Sequence, residues 1–129
     1  IVNGHGGNQP VAAVLGEWMA AHPRTRVRMH NWWSAPKTLA YVKARDPQSA
    51  HASWMENLPW TRLAGVVQPQ GRKPPVDYQR YAVLSPDAAR ELAGDGNFGG
   101  AYERPDEEVL EMWRIAVEET RALIEGPWA

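Results

Sequence analysis

Two segments of this chain contain the residue types that catalysis uses most often. His5 lies in the glycine-rich residues 3–8, where no bulky neighbour restricts its ring. Neutral imidazole is a leading ligand for zinc and other transition metals, so His5 is a candidate metal ligand. A loop histidine bonded to a backbone carbonyl is the alternative interpretation, and His5 alone does not decide between the two.

The second segment, residues 51–56, contains His51 and Glu56. If residues 52–58 form a helix, His51 lies at its start and Glu56 follows more than one turn later. A histidine there can transfer a proton, and a nearby carboxylate can bind a cation or orient the ring. The alternative is an exposed capping residue and a solvated glutamate.

The elements around His5 predict one βα unit. Residues 1–2 are the end of a buried strand, and the glycines of residues 3–8 permit positive φ. We expect Asn8 to cap a helix with Pro10 in its first turn and His22 at its end. Its apolar residues recur at helical spacing: Val11, Val14, Leu15, Trp18 and Met19. A strand over residues 27–31 completes the unit, which places His5 at the carboxyl edge of a parallel sheet.

The remaining pattern predicts more helix than strand. Helices are expected over residues 36–45, 52–58, 86–93 and 105–125, with an extended loop over 65–81 and a further strand near 66–67. The last helix has one apolar face, formed by Val109, Trp113, Ala116, Val117, Thr120, Leu123 and Ile124. The fold class predicted from these elements is α/β.

Composition excludes several classes of function. The formal net charge is −1, with 14 basic and 15 acidic residues. This balance gives no electrostatic footprint for nucleic acid, and there is no basic block for a membrane surface. No apolar run approaches the roughly 20 residues of a membrane span. The absence of cysteine excludes disulfides and thiolate ligands and fits a cytoplasmic protein. We therefore expect no nucleic-acid partner and no membrane partner.

Together, the two segments resemble the motifs of one protein family. Asn3-Gly4-His5-Gly6-Gly7-Asn8 has the form of the NGHGGN motif of the creatininase family, and residues 51–56, HASWME, resemble its HAGxxET motif at about the expected separation. The resemblance implies that residues 1–129 are the C-terminal part of a single creatininase-like domain. Such a domain has three α/β/α layers around a mostly parallel sheet, which this chain would form only in part.

The family resemblance also implies an activity. It is a metal-dependent amidohydrolase reaction on the C–N bond of a small cyclic amide or formamide, with two divalent ions (zinc, manganese or iron) that activate water. By this resemblance His5 and Glu56 are metal ligands, and His51 protonates the leaving nitrogen. The residues expected to contact the substrate are Trp32, Trp33, Gly6 and Trp54.

The chain departs from the family pattern in ways that predict a partner. Gly7 stands where creatininase has a glutamate ligand, and Asn57 and Leu58 replace the usual Thr-Ser. The family's Glu, His and Asp ligands lie upstream of the first motif. We therefore expect a complementary N-terminal half or a second subunit that carries these ligands, within a homo- or hetero-oligomer.

Two alternative functions remain open at this point. In the first, the chain is a non-catalytic or supporting subunit of a heteromeric creatininase-like enzyme. In the second, it is a creatininase-like peptidase that matures a small modified peptide. A Rossmann nucleotide-binding domain is disfavoured, because Gly4, Gly6 and Gly7 do not have the GxGxxG spacing.

Overall fold

The computed structural model describes residues 1–128 and shows an α/β fold with five helices and two small sheets among them. This confirms the predicted fold class. The helices are α1 (Val11–Ala21), α2 (Pro36–Arg45), α3 (Tyr78–Ala82), α4 (Pro86–Ala93) and α5 (Asp106–Glu125). The strands are β1 (Val2–Asn3), β2 (His30–Asn31), β3 (Arg72–Lys73) and β4 (Gly100–Ala101).

The chain divides into two compact units. The first contains residues 1–39 and the chain from 114 onward, and the second contains residues 40–113. Within residues 1–128, no helix combines the length and apolar character needed to cross a bilayer.

The first unit contains the predicted βα unit. β1 and β2 pair in parallel, with Val2 opposite His30 and Asn3 opposite Asn31. The strand expected over residues 27–31 is shorter than predicted, because only His30 and Asn31 form the ladder. The register places the carboxyl ends of both strands at one edge, where the residues that follow them can meet.

The start of α1 differs from the prediction. Asn8 does not cap it: the helix begins at Val11 after Pro10, without a side-chain cap. Asn8 instead ends a 3-10 turn, and its side-chain amide donates to Asn3 Oδ1 at 3.1 Å. The Asn8 side chain is therefore used in a hydrogen bond with Asn3 and not in the helix cap that the sequence pattern predicted.

A carboxylate from α5 caps α2 within the first unit. Glu119 accepts hydrogen bonds from the backbone N–H groups of Lys37 at 2.8 Å and Thr38 at 2.7 Å, and from the Thr38 hydroxyl at 2.7 Å. Burial alone would raise the pKa of Glu119, but these hydrogen bonds lower it below its ordinary value. Glu119 therefore accepts from backbone N–H groups in the first turn of α2, which have no partner within the helix itself.

Most of the buried apolar residues lie in the second unit. They are Val42, Trp54, Met55, Leu58, Val76, Phe98, Ala101, Val109 and Met112. β3 and β4 pair antiparallel beside them, with Arg72 opposite Ala101 and Lys73 opposite Gly100. The expected strand near residues 66–67 is absent, and Val66 and Val67 are exposed.

Buried Asp46 joins β3 and β4 to the end of α2. Its carboxylate accepts from the backbone N–H of Ala101 at 2.8 Å and of Gln48 at 3.1 Å, and it pairs with Arg72. Burial alone would raise the pKa of Asp46, but these hydrogen bonds lower it overall. Gly100 has φ +92, and a Cβ there would lie 2.7 Å from Asp46 Oδ2, so both the backbone conformation and the close approach require glycine.

One helix prediction and one loop prediction in the second unit need correction. Residues 52–58 do not form a helix, because Ala52 adopts φ +55 and a 3-10 turn at Trp54–Glu56 follows it. The predicted loop over residues 65–81 contains β3 and the start of α3, both of which the sequence pattern missed.

The predicted boundaries of α5 are correct to within one residue, but only part of the expected apolar face is buried. Val109, Met112 and Ala116 are buried, whereas Trp113 and Val117 are exposed. Within the second unit, Trp113 packs edge-on against Trp60 with ring centroids 5.2 Å apart. The apolar stripe in the sequence is therefore wider than the face that the core covers.

Candidate functional site

In the first unit, an amide network fixes the loop that carries His5. Asn3 is buried, and its Nδ2 donates to Asn31 Oδ1 at 2.7 Å. Its Oδ1 accepts from the backbone N–H of His5 at 3.2 Å and from Asn8 Nδ2 at 3.1 Å. The ends of β1 and β2 are thereby joined, and the glycine-rich loop is held at the carboxyl edge of the sheet.

The His5 ring caps the turn that follows it. His5 Nδ1 accepts from the backbone N–H of Gly7 at 3.0 Å. In the neutral ring this hydrogen bond places the proton on Nε2. Metal binding through either nitrogen therefore requires the loss of this bond, so the assignment of His5 as a ligand stays a prediction.

The glycines of this loop do not adopt the positive φ that their residue type permits. None of Gly4, Gly6 and Gly7 has positive φ. Gly7 is constrained by space instead, since a Cβ there would lie 2.9 Å from His5 Nδ1. Gly6 has open space at its Cβ position, and its expected contact with a substrate stays a prediction.

Trp32 and Trp33 follow β2 directly, in a 3-10 turn at Trp32–Ser34. Their rings meet edge to face, with centroids 6.2 Å apart and an interplanar angle of 89°. Both side chains are half-buried at the sheet edge that also carries the His5 loop. The predicted role of the pair as a substrate-contacting wall is compatible with this placement and stays a prediction.

In the second unit, His51 and Glu56 lie side by side. His51 Nδ1 is 3.5 Å from Glu56 Oε1, and the two side chains are 40% and 41% exposed. Glu56 Oε1 also accepts from the backbone N–H of Ala52 at 2.9 Å. Because a non-glycine residue at φ +55 is uncommon, this bond supports a backbone conformation that Ala52 does not favour by itself.

Phe98 contacts His51 through both its backbone and its ring. The Phe98 N–H donates to the His51 carbonyl at 2.9 Å, and the two rings meet edge on at 5.3 Å. The rings of Tyr78 and Tyr81 pack against the Phe98 ring, with ring centroids 5.2 Å and 4.9 Å apart. Partial burial raises the pKa of the Tyr78 phenol, and a hydrogen bond with the His51 backbone opposes that increase.

The aromatic residues of this cluster were missed in the sequence. A signal was present: Asp77 is a good helix N-cap, and Tyr78 and Tyr81 follow it at helical spacing. The structure confirms that Asp77 accepts from Gln79 N–H at 2.9 Å and from Arg80 N–H at 3.0 Å. Phe98 is distant in sequence, and only the fold brings it to His51.

The assignment of Trp54 to substrate binding is corrected by the structure. Trp54 is 0% exposed, and the Arg104 guanidinium lies 5.6 Å from the centroid of its ring. The turn after Ala52 directs Trp54 and Met55 into the core of the second unit. Trp54 is therefore a core residue and not a surface that a substrate can contact.

The side chains of residues 1–128 do not make a complete metal site. Nowhere in this range do three or more His, Asp or Glu side chains form a group that could hold an ion. The Glu56 carboxylate already contacts His51 and the Ala52 N–H, so its role as a ligand stays a prediction. What the second unit does present is a histidine beside a carboxylate, an arrangement suited to proton transfer.

No model of a known protein family, no curated protein and no solved structure matches this chain.

Proposed function

We propose that this chain is the proton-transferring part of a creatininase-like metal-dependent amidohydrolase, which hydrolyses the C–N bond of a small cyclic amide or formamide. The observation that carries the proposal is the His51–Glu56 pair, with Nδ1 and Oε1 3.5 Å apart. The motif resemblance of residues 3–8 and 51–56 supplies the reaction class. The parallel β1–β2 pair supports, at the level of one βα unit, the three-layer α/β/α arrangement that belongs to the same proposal.

His51 acts on the departing nitrogen. Glu56 faces Nδ1, which favours a proton on that atom. The imidazolium donates its Nε2 proton to the amide nitrogen as the C–N bond breaks, because an unprotonated amide nitrogen is a poor leaving group. The ring then keeps its Nδ1 proton toward Glu56.

His5 is assigned as one imidazole ligand of the metal site in this proposal. Divalent zinc, manganese or iron, when bound, supplies an activated water and polarises the carbonyl oxygen. A dinuclear site needs more ligands than His5 and Glu56 provide. The remaining Glu, His and Asp ligands belong to a complementary half or second subunit.

A comparison of two histidine variants tests this function. The chain is purified with any chain that binds it. Ring opening of creatinine to creatine is measured, as is amine release from an N-formyl amine. His51→Gln is expected to lower kcat by about 10²–10⁴ while the metal content stays constant. His22→Gln is the matched control, because His22 is an exposed histidine that stacks on Trp18 at 4.2 Å.

Each outcome of this assay has a clear meaning. A loss of rate confined to His51→Gln supports proton transfer by His51. Product formation that is equal in the wild type and His51→Gln would favour the non-catalytic subunit instead.

A further inference from the structure

Residues 24–29, called here the basic strip, lead directly into β2. Arg24 lies in the turn at residues 23–24, and residues 25–29 follow it outside any helix or turn. Arg24, Arg26 and Arg28 alternate with Thr25, Val27 and Met29. Alternate residues of an extended chain point to opposite faces, so Arg26 and Arg28 are expected to share one face if residues 25–29 are extended. Arg24 and Arg26 are exposed, whereas Val27, Arg28 and Met29 are half-buried.

The backbone of the basic strip has unused hydrogen-bonding groups. Within residues 1–128, the N–H groups of residues 26–29 donate no hydrogen bond. His30 N–H donates to the Ile1 carbonyl at 2.9 Å, and the Ile1 amino group donates to the Arg28 carbonyl at 2.7 Å. Arg28 and His30 therefore face β1. In an extended chain the intervening Val27 and Met29 direct their N–H and C=O groups to the opposite edge.

No strand among residues 1–128 covers that edge, since the parallel sheet has only β1 and β2. An exposed strand edge is a template for pairing with another chain. The apolar–basic alternation also gives the strip the pattern of a half-buried strand. The segment is thus preformed for strand addition on one side.

Charge identifies the kind of strand that fits. No Asp or Glu occurs between Glu17 and Asp46 in the sequence. Within residues 1–128, none of the three arginines of the basic strip forms an ion pair with a carboxylate. The Arg26 guanidinium donates to the carbonyls of Pro23 and Thr25 at 3.4 Å and 3.3 Å.

Arg28 has neutral partners as well. Its guanidinium donates to the Pro127 carbonyl at 2.8 Å and lies 5.0 Å from the centroid of the Trp128 ring. Arg26 and Arg28 on one face of an open strand edge, with exposed Arg24 in the turn before them and no carboxylate paired with any of the three, are complementary to acidic side chains.

We propose that the basic strip binds an extended acidic segment of a partner protein by strand addition. The partner's backbone pairs with the open edge at Val27 and Met29, and its alternate carboxylates face Arg26 and Arg28, with the charge of Arg24 nearby in the turn. A second copy of this chain does not fit, because pairing the strip with itself places arginine beside arginine. The proposal does not depend on the amidohydrolase function.

Fluorescence anisotropy with a labelled probe peptide, in which Glu alternates with Val, tests the proposal. The full chain is expected to bind this peptide. It should bind at least about tenfold more weakly to a version that is N-methylated on the pairing edge, because strand addition requires those N–H groups. A peptide with Lys in place of Glu should not bind, and added salt should weaken binding of the Glu peptide.

The protein variants separate the strip from general charge effects. Arg24→Glu with Arg26→Glu is expected to weaken binding by at least about tenfold. Arg80→Glu with Arg90→Glu reverses two exposed arginines of the second unit and should leave binding unchanged. Circular dichroism confirms that both double variants are folded.

Three results would each overturn the proposal. The first is an absence of binding to the Glu peptide by the wild-type chain. The second is equal binding of the N-methylated peptide, which shows attraction by charge alone. The third is tighter binding of a dT oligonucleotide than of the peptide, which identifies the strip as a nucleic-acid surface.

Discussion

At the scale of single residues, His51 is held by contacts of three kinds. Its carbonyl accepts from Phe98 N–H, its ring meets the edge of Phe98, and its Nδ1 faces Glu56. The His51–Glu56 pair is partly exposed, and exposed ion pairs stabilise proteins little. Substitution of Glu56 can therefore alter the chemistry of His51 without unfolding the chain.

Glu56→Gln should change the state of the His51 ring more than the stability of the protein. Without the carboxylate, the preference for a proton on Nδ1 is expected to fall, which nitrogen-15 NMR of the imidazole measures directly. The free energy of unfolding should change by less than about 1 kcal/mol. Glu91→Gln, an exposed substitution in α4, is the control. An unchanged proportion of the Nδ1-protonated ring would remove Glu56 from its orienting role.

Asp46→Asn should destabilise the second unit. Asparagine has one acceptor oxygen for the donors that Asp46 satisfies, so the N–H of Ala101 or of Gln48 loses its partner. The expected loss is about 1–3 kcal/mol for each such donor, measured by urea unfolding at neutral pH. Asp87→Asn, at an exposed position in α4, should lower the free energy of unfolding by less than Asp46→Asn does. Equal losses for the two variants would contradict the role given to Asp46.

The Asp46 contribution should also depend on pH. Its pKa is lowered in the folded protein, so the unfolded chain takes up this proton first as the pH falls. The stabilisation is fully present above the unfolded pKa, about 4, and disappears as the pH falls through the folded pKa. The stability gap between the wild type and Asp46→Asn should therefore shrink in acid. A gap that stays constant to about pH 2 would contradict this linkage.

At the scale of elements, the periodic patterns predicted well where local spacing decides the structure. α2, α4 and α5 lie close to their expected bounds, and β1 and β2 form the expected parallel pair. The helix over residues 52–58 was wrong because Trp54, Met55 and Leu58 are all buried through a turn, which periodicity does not distinguish from a helix face. The left-handed conformation of Ala52 has no signal in its residue type.

The candidate site was predictable only within each motif. The sequence placed Glu56 near His51 through an expected helix, and the structure brings the two together through a turn instead. The capping role of His5 depends on a hydrogen bond to Gly7 that competes with metal binding. Phe98 and the burial of Trp54 were not predictable, because both depend on packing between residues distant in sequence.

Glu119→Gln should weaken the cap of α2. The carboxylate accepts three hydrogen bonds from Lys37 and Thr38, and glutamine cannot accept all of them through one oxygen. We expect a loss of about 1–2 kcal/mol in the free energy of unfolding, with faster hydrogen exchange at Lys37 and Thr38. The neighbouring Glu118→Gln affects only an exposed pair with Arg114 and should change little. Equal effects of the two substitutions would exclude the capping role.

At the scale of the whole molecule, α1 leaves apolar side chains uncovered along one face. Val11, Val14 and Trp18 are exposed, and none of the helix is buried. A contiguous apolar surface of this kind favours association. The chain purified without partners is expected to self-associate, as measured by light scattering. Replacing Val14 and Trp18 with Gln should increase the monomer fraction, and a wild-type chain that stays monomeric at high concentration would contradict the expectation.

The central claim is that this chain takes part in metal-dependent hydrolysis, and metal content tests it most directly. Elemental analysis of the assembled protein, purified with any chain that binds it, compares the wild type with His5→Ala and His22→Ala. The account predicts bound zinc, manganese or iron in the wild type and in His22→Ala, and a loss of metal in His5→Ala. Equal metal content in all three proteins, or no metal in any of them, would contradict it.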